Sequence, residues 1–387
     1  MMKIPYSRQH INKEDIRAVA RSLENNFITQ GPNIISFENH VKKFVDAKYA
    51  IAVNSATSAL HISCIALGLK KNDILWTSAN TFVASANCAL YCGAKVDLVD
   101  IDPTTFNIDI NLLERKLIIA KRNNILPKVL VPVAFAGLSC EMDQIKFLSR
   151  KYKFNIIEDA SHAFGAIYKG YKVGSCTYSD ITVFSFHAVK ILTTGEGGMA
   201  LTNNLNLAKK LKLLRTHGIT RNQSLFKDKS NVRNKWYYEQ QYLGYNYRIT
   251  DFQCALGISQ LKRVSKFIQK RNWIANFYKK ELYKLPLIYQ KIPDRILSSY
   301  HLFIIQLKKN INRDLVYKKF LKLGISLNLL YIPVYHHPFY KKFNLNKKNF
   351  PVMNNFFKYS LALPMYYSLK RKELNLIVKY LKKILNF

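Results

Sequence analysis

Short apolar runs alternate with helical patterns through the first half of the chain, and this alternation restricts the fold more than any other feature. Apolar residues recur at helical spacing between most of the runs. The predicted strands are Tyr49–Val53, Asp73–Ser78, Lys95–Val99, Lys128–Phe135, Phe154–Glu158 and Thr182–Phe186. Because parallel strands need helical crossovers, the chain is predicted to form an α/β sheet covered on both faces. Functional residues are then expected at the carboxyl ends of the strands.

The length of 387 residues, 49% of them hydrophobic, allows more than one domain. We predict an N-terminal arm at 1–12, a large domain at 13–249 and a smaller C-terminal α+β domain at 250–387. One long helix is predicted from Thr250 to about Leu282, because apolar residues recur at helical spacing along this segment.

The net charge of +36 suggests nucleic-acid binding, so a non-catalytic DNA-binding or sensor protein is one hypothesis. However, lysine far outnumbers arginine, and the lysines are spread over many helices rather than gathered in one basic arm. Codon bias is therefore the favoured explanation, and neither nucleic acid nor membrane is an expected partner. Without a signal peptide or an apolar run of roughly 20 residues, a cytoplasmic protein is expected. Six scattered cysteines with no CxxC pair favour reduced thiols, and no metal is expected.

Lys190 is the first candidate functional residue, because it stands between Val189 and Ile191. Burial of an ammonium costs several kcal/mol unless its charge is paired or removed, and bonding to a carbonyl ligand as an imine removes it. Ser185 precedes Lys190 in the same segment, so one loop could present a hydroxyl and an amine to opposite ends of a ligand. The alternative is a surface lysine on a loop between two strands.

Two other strand ends carry groups that suit a ligand. Asn54–Ser58 joins a strand to an apolar helix, and the free amides at a helix N-terminus bind phosphate well. An ordinary N-cap by Ser55 or Thr57 explains the same residues. Asp159 ends a predicted strand, where its carboxylate could pair with a buried cation or simply cap a helix.

Six ordered segments together resemble the DegT–DnrJ–StrS family of sugar-nucleotide aminotransferases, which are fold-type I pyridoxal-phosphate enzymes. The resemblance covers nearly the whole chain and implies a large, mainly parallel, seven-stranded sheet domain with a smaller C-terminal domain. The segments are Thr29–Pro32, Asn54–Leu60, Asn80–Ala84, Glu158–His162, Ser185–Lys190 with Gly195–Gly198, and Gly244–Gln253.

The resemblance assigns roles to individual residues. Lys190 is expected to bind pyridoxal 5'-phosphate covalently and to move a proton between the cofactor and the sugar, while Asp159 keeps the pyridine nitrogen of the cofactor protonated. The other implied cofactor contacts are Phe82 on the ring, His162 beside it, Thr57, Ser58 and Ser185 at the phosphate, and Asn246 from the second subunit of a homodimer. The implied substrate contacts are Gln30, Gly31, Tyr331, and Arg233 and Lys235 of a basic loop.

Within the family, three segments resemble the branch that aminates C4 of a UDP-linked 4-keto-6-deoxy-N-acetylhexosamine for pseudaminic acid biosynthesis, with L-glutamate as donor. These segments are Pro132–Gly137, Asp159–Ala163 and Phe184–Lys190. One departure is Leu330, which stands where many relatives carry a histidine. The alternatives are a gluco-configured UDP-ketosugar or a dTDP-ketosugar as substrate. A sugar dehydratase is less favoured, because in such relatives a histidine replaces Lys190.

Overall fold

A computed structural model describes residues 3–228, 230, 233–343 and 345–385. The helices are α1 (Lys13–Leu23), α2 (Pro32–Val45), α3 (Ala56–Ala66), α4 (Val83–Tyr91), α5 (Ile110–Arg122), α6 (Met142–Tyr152), α7 (Leu205–Arg215), α8 (Asp251–Leu261), α9 (Val264–Leu282), α10 (Arg313–Lys322), α11 (Pro351–Tyr359) and α12 (Arg371–Ile384). The strands are β1 (Tyr49–Val53), β2 (Ile74–Ser78), β3 (Lys95–Val99), β4 (Val129–Val131), β5 (Asn155–Asp159), β6 (Ile167–Tyr168), β7 (Tyr171–Lys172), β8 (Ile181–Ser185), β9 (Gly198–Thr202), β10 (Ile219–Thr220), β11 (Glu239–Gln240), β12 (Leu287–Tyr289), β13 (Ile296–Leu297), β14 (Phe303–Leu307) and β15 (Ser360–Leu363).

The central sheet has seven strands in the order β1-β9-β8-β5-β4-β2-β3. Strand β9 runs antiparallel to both of its neighbours, and the other paired strands are parallel. The predicted seven-stranded, mainly parallel sheet is thus confirmed. Strands β8 and β9 are buried along their whole length, as expected for central strands covered on both faces. The parallel strands end at one edge, which places Asp159 and Ser185 at the ends of two adjacent strands, β5 and β8.

The single helix predicted from Thr250 to Leu282 is wrong, because the structure has two helices, α8 and α9, with a break at Lys262 and Arg263. The Arg263 guanidinium pairs with the buried carboxylate of Asp15, which also accepts hydrogen bonds from α8. Helix α8 packs against α1 and α2. Both helices bury an apolar face, so the apolar spacing in the sequence continues across the break and conceals it.

The strand predicted at Lys128–Phe135 is shorter in the structure, where β4 covers only Val129–Val131. The chain turns immediately afterwards through Ala136 and Gly137, which both have positive φ, at 58° and 100°. A Cβ on Gly137 would lie 2.7 Å from the backbone nitrogen of Tyr300. A glycine therefore allows both the turn and the close approach of a second chain segment.

The C-terminal part contains a three-stranded antiparallel sheet in the order β12-β14-β15. The N-terminal arm contacts this part: the Ile4 amide donates to the Gly324 carbonyl at 2.9 Å, and Met365 donates to the Tyr6 carbonyl at 2.9 Å. The division at residue 250 stays a prediction. Within the described ranges, no helix is both long and apolar enough to cross a membrane.

Candidate active site

A cavity of about 380 Å³ opens at the carboxyl ends of β5 and β8, where the sequence predicts a site. This volume is in the range of small-molecule sites. Six residues expected to contact the cofactor or substrate line it: Thr57, Phe82, Asp159, Ser185, Lys190 and Tyr331. These residues come from segments spread over most of the chain, and the sheet brings them together.

Lys190 lies in the loop between β8 and β9 and faces this cavity. The loop is held by backbone hydrogen bonds from Phe186 to the Gly197 carbonyl at 2.8 Å and from Lys190 to the His187 carbonyl at 3.0 Å. Burial lowers the pKa of the Lys190 amine to about 8, and the nearby Asp159 carboxylate opposes this shift. About a tenth of the amine is therefore neutral, and thus nucleophilic, at pH 7, far more than for an ordinary lysine.

Asp159 is the last residue of β5, and its carboxylate is buried. The Ser85 hydroxyl donates to Oδ2 at 2.6 Å, and the Ser161 amide donates to Oδ1 at 3.1 Å. Hydrogen bonds of this kind fix the carboxylate in place. Asp159 can therefore present a fixed negative charge to a cation in the cavity.

Helix α3 begins at the cavity and offers an anion site. Its N-cap residue, Ser55, accepts from the Ser58 amide at 3.1 Å, and the Ser58 hydroxyl donates to Asn54 Oδ1 at 2.6 Å. The amides of Ala56 and Thr57 have no acceptor within their own helix, and both residues line the cavity. Ser58 does not line it, because its side chain is turned toward Asn54.

Gly198 allows the sheet to approach this helix closely. A Cβ at Gly198 would lie 2.4 Å from the Ala56 amide nitrogen and 2.4 Å from the Ser55 carbonyl carbon. Any other residue at this position would push the start of β9 away from the start of α3. The Gly-Glu-Gly-Gly segment in the sequence thus brings Lys190 and the helix N-terminus to one cavity.

Aromatic rings form another wall of the site. The exposed fraction of Phe82 is 54%, and its ring centroid lies 5.5 Å from that of Tyr331. The Ala136 amide donates to Nδ1 of His162 at 3.3 Å, so Nε2 carries the proton and donates to the Tyr331 hydroxyl at 2.8 Å. Burial lowers the pKa of His162 well below its usual value and raises that of Tyr331, so both stay neutral.

His301 also lines the cavity, although it was not among the residues expected from the sequence. Its ring centroid lies 4.3 Å from that of His162, and its Nδ1 is buried with no hydrogen-bond partner among the described residues. A single histidine before an apolar strand matches no sequence motif, so no pattern marks His301 as a site residue. Leu330, where many relatives carry a histidine, lies in the same wall.

Seven residues expected from the sequence do not line this cavity. Ser58 and His162 adjoin the lining residues Thr57 and Ser161, whereas the other five lie elsewhere. Gln30 and Gly31 line a second cavity of about 180 Å³. Asn246 is exposed on a segment that pairs with Thr216, and Arg233 and Lys235 are exposed. Within one copy of the chain, these five residues are not brought to Lys190.

The groups around the cavity fit pyridoxal phosphate. An amine of lowered pKa, a fixed carboxylate, an aromatic ring and a helix N-terminus are the groups that its aldehyde, pyridine nitrogen, ring face and phosphate require. Lys190, Asp159, Phe82 and the start of α3 supply them.

Comparisons with known proteins agree with this arrangement. The DegT/DnrJ/EryC1/StrS aminotransferase family model matches residues 9–382. A Campylobacter jejuni relative named UDP-4-amino-4,6-dideoxy-N-acetyl-beta-L-altrosamine transaminase is 39% identical over 385 residues, which cover 99% of this chain and 97% of the relative.

Solved structures agree over the same length. Helicobacter pylori PseC, an aminotransferase of pseudoaminic acid biosynthesis, superposes with a TM-score of 0.90 at 30% identity and covers 100% of both chains. A Streptococcus pneumoniae protein described as a sugar aminotransferase, in its PLP form, superposes with a TM-score of 0.90 at 28% identity and covers 100% of this chain and 99% of its own. The chain belongs to the DegT/DnrJ/EryC1/StrS aminotransferase family and is an aminotransferase that uses pyridoxal phosphate.

Proposed function

We propose that the chain transfers the amino group of L-glutamate to C4 of a UDP-linked 4-keto-6-deoxy-N-acetylhexosamine, and that it acts in the cytoplasm as a homodimer. The proposed substrate is the L-arabino ketosugar that leads to pseudaminic acid. The observation that carries the reaction type is the meeting of Lys190, Asp159 and the α3 N-terminus in one cavity. The 39% identity to the Campylobacter jejuni transaminase over 99% of the chain supports the choice of sugar.

Lys190 and Asp159 are proposed to carry the chemistry. Bound pyridoxal phosphate supplies an electron sink next to the carbon whose proton is removed. The Lys190 amine holds the cofactor and, once released, moves the proton to C4 of the sugar. Asp159, fixed by Ser85 and Ser161, keeps a proton on the pyridine nitrogen.

The remaining contacts are proposed to bind and orient. The Thr57 and Ser58 segment and the Ser185 hydroxyl hold the phosphate at the α3 N-terminus, where the helix dipole favours an anion. Phe82 packs on the ring, and His162 fixes the hydroxyl of Tyr331 toward the substrate side. Arg233 and Lys235 are exposed cations that could neutralise the diphosphate of the nucleotide.

A second copy of the chain is proposed to complete the site with Asn246, Gln30 and Gly31. Large apolar side chains are exposed close to these residues in the sequence. The exposed fraction is 57% for Phe27, near Gln30, and 79% for Leu243, near Asn246. Such exposure close to functional residues favours a contact surface for another protein.

The substrate is tested by offering the purified, cofactor-loaded protein the two C5-epimeric UDP-4-ketosugars separately with glutamate. The proposal expects a clear kcat/KM preference for the L-arabino ketosugar, with product identified by mass and NMR. Preference for the D-xylo epimer would instead assign the chain to the branch of the family that uses gluco-configured UDP-ketosugars. No reaction with either would make a dTDP-ketosugar the leading substrate.

Cofactor uptake should depend on pH through Lys190. Because only the neutral amine attacks the aldehyde, the rate at which cofactor-free protein takes up pyridoxal phosphate should rise with pH, with a midpoint near the pKa of about 8. Since the Asp159 carboxylate raises this pKa, Asp159→Asn should move the midpoint to lower pH. Stopped-flow absorbance measures the uptake rate of the wild-type protein and of Asp159→Asn at each pH. A midpoint at the value of an exposed lysine, unchanged in Asp159→Asn, would contradict this account.

Asn246 should act on the site of the other subunit. Lys190→Ala and Asn246→Asp should each be inactive, because the new carboxylate would repel the cofactor phosphate. Co-expression of both chains should restore about a quarter of wild-type activity, since half of randomly mixed dimers are hybrids with one intact site. If Asn246 served its own subunit, no hybrid would contain an intact site and activity would stay absent.

A further inference from the structure

The segment that carries His301 into the active-site cavity is bound to the turn after β4. The Ser299 amide donates to the Gly137 carbonyl at 3.0 Å, and the Leu302 amide donates to the Ala136 carbonyl at 3.3 Å. These two hydrogen bonds lie on either side of His301 in the sequence, so its backbone is fixed before any ligand binds. A side chain on such a segment is preorganised, which lowers the entropic cost of a contact with a ligand.

A buried arginine and a second histidine also hold His301 in place. Nη1 of Arg271 donates to the carbonyls of Tyr300 at 3.1 Å, His301 at 3.0 Å and Met365 at 3.2 Å. The His301 ring packs against that of His162, with a centroid separation of 4.3 Å. The direction of the His301 ring is therefore set by the protein.

The two ring nitrogens of His301 have different surroundings. Among the described residues neither nitrogen has a hydrogen-bond partner, and of the two only Nδ1 is fully buried. Because His301 lines the cavity, Nε2 is the nitrogen that reaches it. A proton on Nδ1 would make a buried N–H without an acceptor, which proteins rarely contain. We therefore assign the proton to Nε2, where a ligand can accept it.

The imidazole of His301 stays neutral in an apolar part of the cavity wall. Burial lowers its pKa well below the usual value, and His162 and Lys190 lower it further. Leu302 and Leu330 line the same cavity. A neutral donor in such a wall suits a neutral oxygen, such as a hydroxyl or carbonyl oxygen of a sugar. The carboxylates of glutamate bind more strongly to charged donors.

We propose that the Nε2–H of His301 donates a hydrogen bond to an oxygen of the bound ketosugar, an inference that rests on the proposed function. His301 is then a substrate-binding residue for the sugar and not for the amino donor. Lys190 lines the same cavity, so this bond holds the sugar beside the amine that delivers the proton.

Calorimetric binding of the UDP-linked L-arabino 4-ketosugar to the pyridoxal-phosphate-loaded protein tests this proposal. Without glutamate no amino group can be transferred, so the titration reports binding alone. His301→Phe keeps an aromatic ring against His162 and removes the donor, so its Kd should be about tenfold higher than that of the wild type. His301→Gln places an amide NH2 near the position of Nε2 and should recover most of this loss. An unchanged Kd in His301→Phe would overturn the proposal.

The two half-reactions separate a contact with the sugar from a general effect on the site. In His301→Phe, kcat/KM for the ketosugar should fall about tenfold. The rate at which glutamate alone converts the bound cofactor to its amino form, followed by absorbance, should stay close to wild type. Equal losses in both half-reactions would assign His301 a structural role and overturn the proposal. If His301→Phe does not fold, His301→Asn replaces it, because its shorter amide reaches the position of Nδ1 but not that of Nε2.

Two negative results can be told apart. A wild-type protein that neither binds nor aminates a UDP-linked ketosugar would contradict the proposed function, and the role of His301 with it. A wild-type protein that does both, with the same Kd and kcat/KM in His301→Phe, would contradict the role of His301 alone.

Discussion

Replacing Lys190 with alanine is expected to abolish amino transfer, with a loss of at least about 10³-fold in kcat, because the residue is proposed both to hold the cofactor and to move the proton. The visible absorbance of covalently held pyridoxal phosphate should disappear as well. The fold should persist, since the change removes an amine whose pKa burial has lowered. Product formation, absorbance and a thermal melt measure these three effects.

Lys190→Arg is the charge-retaining control. It should be as inactive as the alanine variant, because a guanidinium is not deprotonated and cannot bond to the aldehyde. Lys209→Ala, on the exposed face of α7, removes a lysine of no proposed role and should keep full activity. Turnover by Lys190→Ala comparable to that of Lys209→Ala would show that another group performs the chemistry.

Asp159→Asn is expected to have the second largest effect. Asparagine has nearly the same shape: its oxygen can still accept from the Ser161 amide, and its NH2 group can donate to the Ser85 hydroxyl oxygen, so cofactor binding should be largely retained. Turnover should nevertheless fall by about 10²-fold or more, because a neutral amide cannot keep the pyridine nitrogen protonated. Cofactor content and kcat measured on the same preparation distinguish the two effects.

Glu158→Gln provides a matched control at the adjacent position of β5. Glu158 is also buried, and it accepts from the Thr182 hydroxyl at 3.0 Å, but it does not line the active-site cavity. The same change from carboxylate to amide should therefore leave kcat close to wild type. If both variants lost activity equally, the loss would reflect damage to the sheet rather than the proposed role of Asp159.

Much of the large sheet could be predicted from the sequence because its signals are local. The predicted bounds of Tyr49–Val53 and Lys95–Val99 agree with the structure, since each is a short segment rich in β-branched or aliphatic residues between helical patterns. The position of Asp159 at the end of a strand followed from the same pattern. These local signals were sufficient to predict Asn54, Asp159 and Ser185 at the carboxyl ends of strands, whereas the roles of Lys190 and Thr57 came from the family resemblance.

The remainder depends on contacts between distant parts of the chain. The antiparallel insertion of β9 between β1 and β8 follows from packing, and no local pattern encodes it. The break before α9 depends on the pairing of Arg263 with Asp15, which are far apart in sequence. His301 enters the cavity only because the C-terminal part folds back on the sheet, so sequence periodicity could not reveal it.

Transfer of ¹⁵N from labelled L-glutamate to the sugar tests the central claim most directly. The cofactor-loaded wild-type protein, incubated with [¹⁵N]glutamate and the UDP-linked L-arabino 4-ketosugar, should yield a sugar nucleotide with ¹⁵N bonded to C4, as seen by NMR and by mass. Lys190→Ala should yield none under the same conditions. Loss of the ketone without ¹⁵N at C4, or incorporation that persists in Lys190→Ala, would contradict the account.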